Sequence, residues 1–230
     1  MRAESFAETS DGLRPMIASG LSEFLVRIAM RLVVRPLFRV RILGGENIPI
    51  HGPALLVSNH LTYLDGFLIG ACLEPVVRFL VWKPYYDHKL LTWGFRLAKA
   101  IPIWTRPHSA AQAIQRARAE LARGHVICIF AEGSISRTGD LLPFQRGLEA
   151  IVRGLDVPVI PVRLDGLWES VFSFRGGRFL WKRPRTLRHP VAISFGAPMA
   201  PSSTANEVRQ AVQQLGLGRQ HGVGHQHRDG

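Results

Sequence analysis

The stretch LLVSNHLTYLDGF, Leu55 to Phe67, decides how the chain must be read. An apolar run of strand length, Ala54 to Ser58, breaks at Asn59-His60, and a carboxylate follows at Asp65. On one continuous helix a five-residue separation rotates two side chains by roughly 140° and points them apart. His60 and Asp65 meet only if the chain turns between them. The sequence permits that turn: a strand ends near Ser58, Thr62 can cap a helix, and Asp65 falls in its first turn. Asp65 can then accept a hydrogen bond from one imidazole nitrogen, which fixes the tautomer and leaves the other nitrogen as a base. The plainer alternative is that Asp65 complements a helix dipole and His60 merely closes the strand.

Working outward, apolar runs of strand length alternate with helical patterns. Strands are predicted at 54–58, 77–82, 100–104, 125–130, 158–163 and 191–195, and helices at 63–73, 88–98, 109–123, 144–154 and 204–215. Several strands are apolar throughout, which suits a sheet covered on both faces. Ser109 with Gln112 and Thr204 with Glu207 have capping-box spacing, and Gly124 follows ARAELAR as a helix stop. The alternation predicts an α/β fold, a mixed and largely parallel central sheet flanked by helices.

Upstream, LSEFLVRIAMRLVVRPLFRVRIL (21–43) places Arg27, Arg31, Arg35 and Arg39 four residues apart, one basic stripe on a helix that Pro36 ends or kinks. Leu21, Phe24, Leu25, Ile28 and Leu32 fall largely on the other side. Such a helix reads as binding a membrane surface; the alternative is a helix docked on the protein's own core with its arginines in water. The expected organisation is a leader and amphipathic helix over 1–40, an α/β domain over 41–216 and a disordered tail over 217–230.

Composition bounds the function. The 230 residues are 47% hydrophobic, enough for a substantial core. No run reaches the roughly 18 uncharged apolar residues of a membrane span, and the first twelve residues are polar and acidic, unlike a signal peptide. A cytoplasmic location is expected, with Cys72 and Cys128 as reduced core residues. Twenty-nine Lys and Arg against 17 Asp and Glu leave a net charge of +12, so anionic partners are favoured: nucleic acid, acidic lipid or phosphorylated substrates.

A second constellation is CIFAEGSISRTGDLLPFQRG (128–147). Small residues after a strand let backbone N–H groups approach an anion, and Arg137 offers a fork for phosphate. Glu132 is a costly charge at a buried strand end unless it has a partner, and an arginine in a plain turn would serve. Ser134 lacks a Gly-x-Ser-x-Gly elbow and is a weak nucleophile candidate; no P-loop or dinucleotide fingerprint is present. AIPIWTRP places Arg106 just past a strand, and VPVIPVRLDGLW places Pro161 in a stiff apolar run. Between 173 and 190, six Lys and Arg interleave with Phe174, Phe179 and Trp181, a mix suited to a membrane interface or to single-stranded nucleic acid.

Taken in order, these segments resemble the glycerolipid acyltransferases, the lysophosphatidic-acid and lysophospholipid acyltransferases. NHLTYLD is similar to that family's NH-x4-D block, AIPIWTR to its second block, FAEGSISR to its F-P-E-G-T-R-S block and VPVIPV to its final proline-containing block. The resemblance spans roughly 40–200. The stretch from Glu132 to Phe179 looks especially like the acyltransferase domain of bifunctional 2-acylglycerophosphoethanolamine acyltransferases. Ala131 stands where the family has proline, Thr105 replaces an acid before Arg106, and Ile135 occupies the place of a phosphate-contacting arginine. That last change favours an acceptor with a phosphodiester headgroup over a phosphate monoester.

The resemblance implies an O-acyltransferase that moves a fatty acyl group from acyl-CoA or acyl-carrier protein to a lysophospholipid or 1-acylglycerol-3-phosphate. His60 is the implied base and Asp65 its partner. Arg106, Glu132, Gly133, Ser134, Arg137 and Pro161 shape the acceptor site, and backbone N–H groups near Gly133 meet the oxyanion. No metal or cofactor is implied beyond the acyl thioester. The expected partners are lysophospholipid, thioester donor and an anionic membrane surface, with the enzyme peripheral on the cytoplasmic face of the inner membrane. The competing readings are a thioesterase using the same His–Asp pair and a non-enzymatic basic protein binding nucleic acid or membrane.

Overall fold

Side chains that alternate along the central strands divide between two apolar layers, and this division builds the molecule. The computed structural model describes residues 21, 24–74, 76–104, 107–177 and 188–222. In β2 (Ala54–Ser58), Ala54 and Leu56 enter one layer while Leu55 and Val57 enter the other. In β5 (Val126–Phe130), Val126 and Cys128 oppose Ile127 and Ile129 in the same way. Strands buried on both faces carry no polar alternation, as the sequence of both runs required. Leu55, Leu56, Ile127 and Ile160 have no solvent exposure; truncating one to alanine costs about 2–5 kcal/mol.

Five more strands complete the sheet: β1 (Phe38–Leu43), β3 (Val77–Trp82), β4 (Ile101–Ile103), β6 (Val159–Asp165) and β7 (His189–Phe195). Their order is β1-β7-β6-β2-β5-β3-β4. Every neighbouring pair is parallel except β6 with β7. The first layer is closed by the helix over 24–37 (α1) and by α2 (Asp65–Cys72), through Val34, Leu68 and Ile69. The second is closed by α5 (Pro107–Ala122), α6 (Gly147–Val152) and α7 (Ala205–Gly222). Ala113, Ala117 and Leu121 repeat every four residues along α5 and are buried. Two short helices, α3 (Lys83–Tyr86) and α4 (Thr92–Leu97), bury no residue.

The expected α/β architecture is present, with three local differences. First, the pattern over 21–43 is not one helix. α1 stops at Leu37, just past Pro36, and FRVRIL forms edge strand β1 with Phe38 buried and Arg39 exposed. The four-residue spacing continued by chance into a strand, where period two governs. Second, Arg27 and Arg31 turn toward the protein, while Arg35 stays exposed. Arg27 and Arg31 both pair with Glu74, and Arg31 Nε donates to the Ala71 carbonyl at the end of α2 (3.0 Å). The apolar residues Phe24, Leu25, Ile28, Leu32 and Val33 are the exposed ones. Third, Ser109 lies inside the first turn of α5 and its Oγ accepts the Trp104 N–H (3.2 Å), so it forms no capping box. Thr204 and Glu207 do form one: the Thr204 N–H donates to Glu207 Oε2 (2.7 Å) and the Glu207 N–H to Thr204 Oγ1 (3.3 Å). α7 continues past 215 to Gly222, and the bare Cα of Gly216 lies against the Arg163 guanidinium. The leader over 1–18, Arg106 with Thr105, residues 178–187 of the basic aromatic stretch, and the end of the tail lie outside the described residues.

Candidate active site

Strands β2 and β5 are parallel neighbours, so their carboxyl ends emerge side by side, where open α/β sheets place ligands. β2 leaves the ladder after Ser58, and the Asn59 side chain takes over its pairing. Asn59 Nδ2 donates to the Leu164 carbonyl (3.1 Å), and the Leu164 N–H donates to Asn59 Oδ1 (2.8 Å). The amide thereby completes the hydrogen bonding of β6 while the β2 backbone is released to turn. His60 follows at that bend.

The turn brings the two predicted groups together. His60 Nδ1 lies 2.8 Å from Asp65 Oδ2. Asp65 is the first residue of α2 and has no exposure; it also accepts the Leu61 N–H (2.6 Å), the Thr62 N–H (3.0 Å) and the Thr62 hydroxyl (2.6 Å). A carboxylate so supplied with donors holds its geometry. Thr62 does not cap α2: its Oγ1 accepts the Leu64 N–H (3.1 Å) one turn earlier. With Asp65 acting only as acceptor, Nδ1 of His60 carries the proton and Nε2 presents a lone pair. Among the described residues Nε2 has no hydrogen-bond partner. The imidazole side chain keeps 19% exposure. Its ring stacks on Phe130 (centroids 4.1 Å apart), which stacks in turn near Phe79.

Glu132 finds its partners in the backbone rather than in an arginine. Oε1 accepts the His60 N–H (2.9 Å) and Oε2 the Leu142 N–H (3.2 Å). The Ser136 N–H donates to the His60 carbonyl (2.9 Å), so the segment after β5 grips His60 on both sides of its Cα. Burial raises the Glu132 carboxyl above its ordinary range, and the two N–H donors and His60 oppose that shift. Gly133 turns the chain with φ +72, and its N–H donates to the Phe130 carbonyl (3.1 Å). The Gly133 N–H is thereby engaged within the turn. Ser134 is exposed beside it.

Arg137 follows Ser136, and its guanidinium lies 3.7 Å from the centroid of Phe174. Phe174 meets Tyr63 edge to face, and the Tyr63 and Tyr85 hydroxyls are 3.0 Å apart. That hydrogen bond, with some burial, pushes the Tyr85 phenol up to about 12. Among the described residues, an aromatic wall that carries Arg137 therefore extends from the His60 turn. Pro161 is not part of it. It sits in β6 opposite Val57, in the layer of Val159, with its ring against Gly196, whereas His60 lies on the side of Phe130. Asn59, Phe130, Tyr63 and Phe174 were not singled out as site residues in the sequence. The asparagine beside His60 was the one local signal, since an amide at a strand end can extend a ladder. Cys72 and Cys128 are core thiols; burial pushes Cys72 up to about 11 and raises Cys128 further. A cleft of about 440 Å³ lined by Arg78, Lys99, Arg116 and Arg123 opens at the amino ends of β3 and β4 and shares no residue with this site.

An imidazole of fixed tautomer, with its lone pair at a surface opening, can take a proton from a hydroxyl or from water. Residues 39–165 match the family model described as Acyltransferase. A chloroplastic 1-acyl-sn-glycerol-3-phosphate acyltransferase of Brassica napus is 26% identical over 191 residues, which is 82% of this chain and 55% of that protein. A 1-acyl-sn-glycerol-3-phosphate acyltransferase of Pseudomonas aeruginosa is 28% identical over 130 residues, 54% of this chain and 48% of that protein. The chain spans about half the length of these curated relatives. The crystal structure of the 1-acyl-sn-glycerophosphate acyltransferase PlsC from Thermotoga maritima superposes with a TM-score of 0.67 at 22% identity, over 97% of this chain and 84% of that one, a likeness of fold.

Proposed function

The chain belongs to the acyltransferase family, and from that premise we propose that it moves a fatty acyl group from a thioester to the free glycerol hydroxyl of a lysophospholipid. The observation that carries the reading is the 2.8 Å contact between His60 Nδ1 and the buried Asp65 carboxylate. His60 Nε2 removes the hydroxyl proton as the oxygen attacks the thioester carbonyl. The tetrahedral intermediate collapses with cleavage of the C–S bond. The thiolate leaves and takes the proton back from Nε2, giving ester and free thiol. Asp65 holds the ring and stabilises the imidazolium. No acyl-enzyme forms, because the acceptor itself is the nucleophile.

Glu132 acts as a positioning residue through the His60 N–H, and Arg137 meets the acceptor phosphate. Arg106, Gly133 and Ser134 are assigned to the acceptor site on the strength of the family motifs. The curated relatives are named for 1-acylglycerol-3-phosphate as acceptor. Ile135, where the family carries an arginine, argues for an acceptor whose phosphate is a diester, in the manner of the 2-acylglycerophosphoethanolamine enzymes. The donor is acyl-CoA or acyl-carrier protein.

Among the described residues no helix is long and apolar enough to cross a membrane. The enzyme works from a membrane surface, the cytoplasmic face of the inner membrane, with the outward apolar side of α1 in the lipid. The test is to supply the purified chain with labelled acyl thioesters and a panel of lysolipids. Acyl ester formed only with a lysolipid supports the reading; release of free fatty acid regardless of acceptor overturns it in favour of a thioesterase.

A further inference from the structure

We infer that the α3–α4 hairpin is a second membrane contact, separate from α1, that seats the mouth of the His60 site on an anionic bilayer. The hairpin follows β3 and buries none of its residues in either core layer. Leu90 is 85% exposed and Trp93 75%, with Trp82, Tyr85 and Leu91 also exposed. These are not side chains on a floppy loop. The Thr92 hydroxyl donates to the Tyr86 carbonyl (2.8 Å), the Leu91 N–H to His88 (2.8 Å), and Tyr86 stacks with Phe95 across the two helices. A hairpin that spends its internal bonds on displaying Leu, Leu and Trp outward forms an apolar patch of the kind that marks an interaction surface.

The occupant is set by the charges and aromatics around the patch. Residues 82–99 carry Lys83, Lys89, Arg96 and Lys99 against a single acid, Asp87, which Lys83 already pairs. Tryptophan and tyrosine beside lysine and arginine suit the headgroup layer, where rings sit at the boundary and cations meet lipid phosphates. An uncharged protein surface would call for no such excess of cations. The start of the hairpin is also joined to the site: Trp82 meets Tyr85 edge to face, Tyr85 hydrogen-bonds Tyr63, and Tyr63 stands three residues after His60. A lipid leaving the bilayer beside Trp82 thus passes Tyr85 and Tyr63 toward the His60 turn. This last step rests on the function proposed above; the membrane contact does not.

The experiment uses the full chain and vesicles of phosphatidylglycerol with phosphatidylcholine, read by co-sedimentation. Leu90→Glu and Trp93→Glu are each expected to weaken partitioning by at least about tenfold, as loss of one buried apolar side chain plus an added anion requires. Ile50→Glu, at an equally exposed apolar residue elsewhere, should change it little. Brominated lipid should quench the Trp93 emission, isolated by difference from Trp93→Phe. Equal partitioning of Trp93→Glu, Leu90→Glu and Ile50→Glu, or an unquenched Trp93, overturns the inference. So does a dimer in solution that Trp93→Glu dissolves, because a second copy would then cover the patch. Vesicle binding that depends on the hairpin without acyl transfer to any lysolipid would leave the membrane contact standing and remove the proposed activity.

Discussion

The turn after β2 and the hairpin after β3 leave neighbouring regions of one sheet, yet they are built on opposite principles. At the His60 turn the polar groups are closed on one another: Asp65 accepts from an imidazole, two N–H groups and a hydroxyl, and Glu132 spends both oxygens on backbone N–H groups. In the hairpin the apolar groups are left open, with Leu90 and Trp93 facing solvent. A closed polar network fixes one geometry, because every alternative leaves a buried donor or acceptor unpaired at about 1–3 kcal/mol. An open apolar surface fixes no geometry of its own and is completed from outside. The first region suits chemistry and the second suits docking.

The sharpest way to break this contrast is His60→Ala. Activity should fall by about 10²–10⁴ with folding intact, since removal of a general base costs that much; near-normal turnover with an unchanged melting transition would leave the closed network without a catalytic purpose. Asp65→Ala should damage both properties. It strands His60 and three local donors, so turnover should drop comparably and stability by about 1–3 kcal/mol or more, read from denaturant unfolding. A purely catalytic effect there would mean that the network is not holding the turn.

Glu132→Gln isolates positioning from proton transfer. Its amide replaces one acceptor by a donor that faces an N–H, so His60 shifts; a loss of about tenfold to a hundredfold in kcat with little change in KM is expected. A change confined to KM would make Glu132 a substrate contact instead. The same variant carries a pH signature. Burial raises the Glu132 carboxyl above 4.5, so between that pH and the raised value the folded protein holds more protons than the unfolded chain. Stability contributed by the protonated form is therefore present at low pH and lost as pH rises through this window. Denaturation midpoints of the native chain should fall across it relative to those of Glu132→Gln. The smallest effect expected is from Arg137→Ala. Its guanidinium is exposed and rests on Phe174, so KM for a phosphate-bearing acceptor should rise about tenfold or less, with kcat nearly unchanged.

Much of the fold was legible locally because buried parallel strands announce themselves. The runs at 54–58 and 77–82 coincide with β2 and β3 to the residue, and β5 and β6 differ from expectation by only one or two positions. β1 was hidden because Arg35 and Arg39 preserve a helical spacing across a helix–strand junction. Of the site, His60 and Asp65 were legible as a pair, since the strand, the turn and the helix start all lie within thirteen residues. The partners of Glu132 were not, because Leu142 and the His60 backbone carry no side-chain signal. Nor was the orientation of α1. Periodicity separates two faces of a helix but does not say which faces inward, and here two ion pairs with Glu74 and a carbonyl of α2 draw Arg27 and Arg31 toward the protein.

By itself the sequence determined the layered α/β class, the place of the turn and the two groups that meet there, because each follows from short-range periodicity and chain stiffness. Only the tertiary structure decided what grips His60 from the neighbouring strand, that Pro161 stands in the opposite layer, and that Arg27 and Arg31 turn toward α2 while Leu25 and Leu32 face outward. Those facts depend on which surfaces pack together, and packing joins residues that are 72 positions apart in the case of His60 and Glu132.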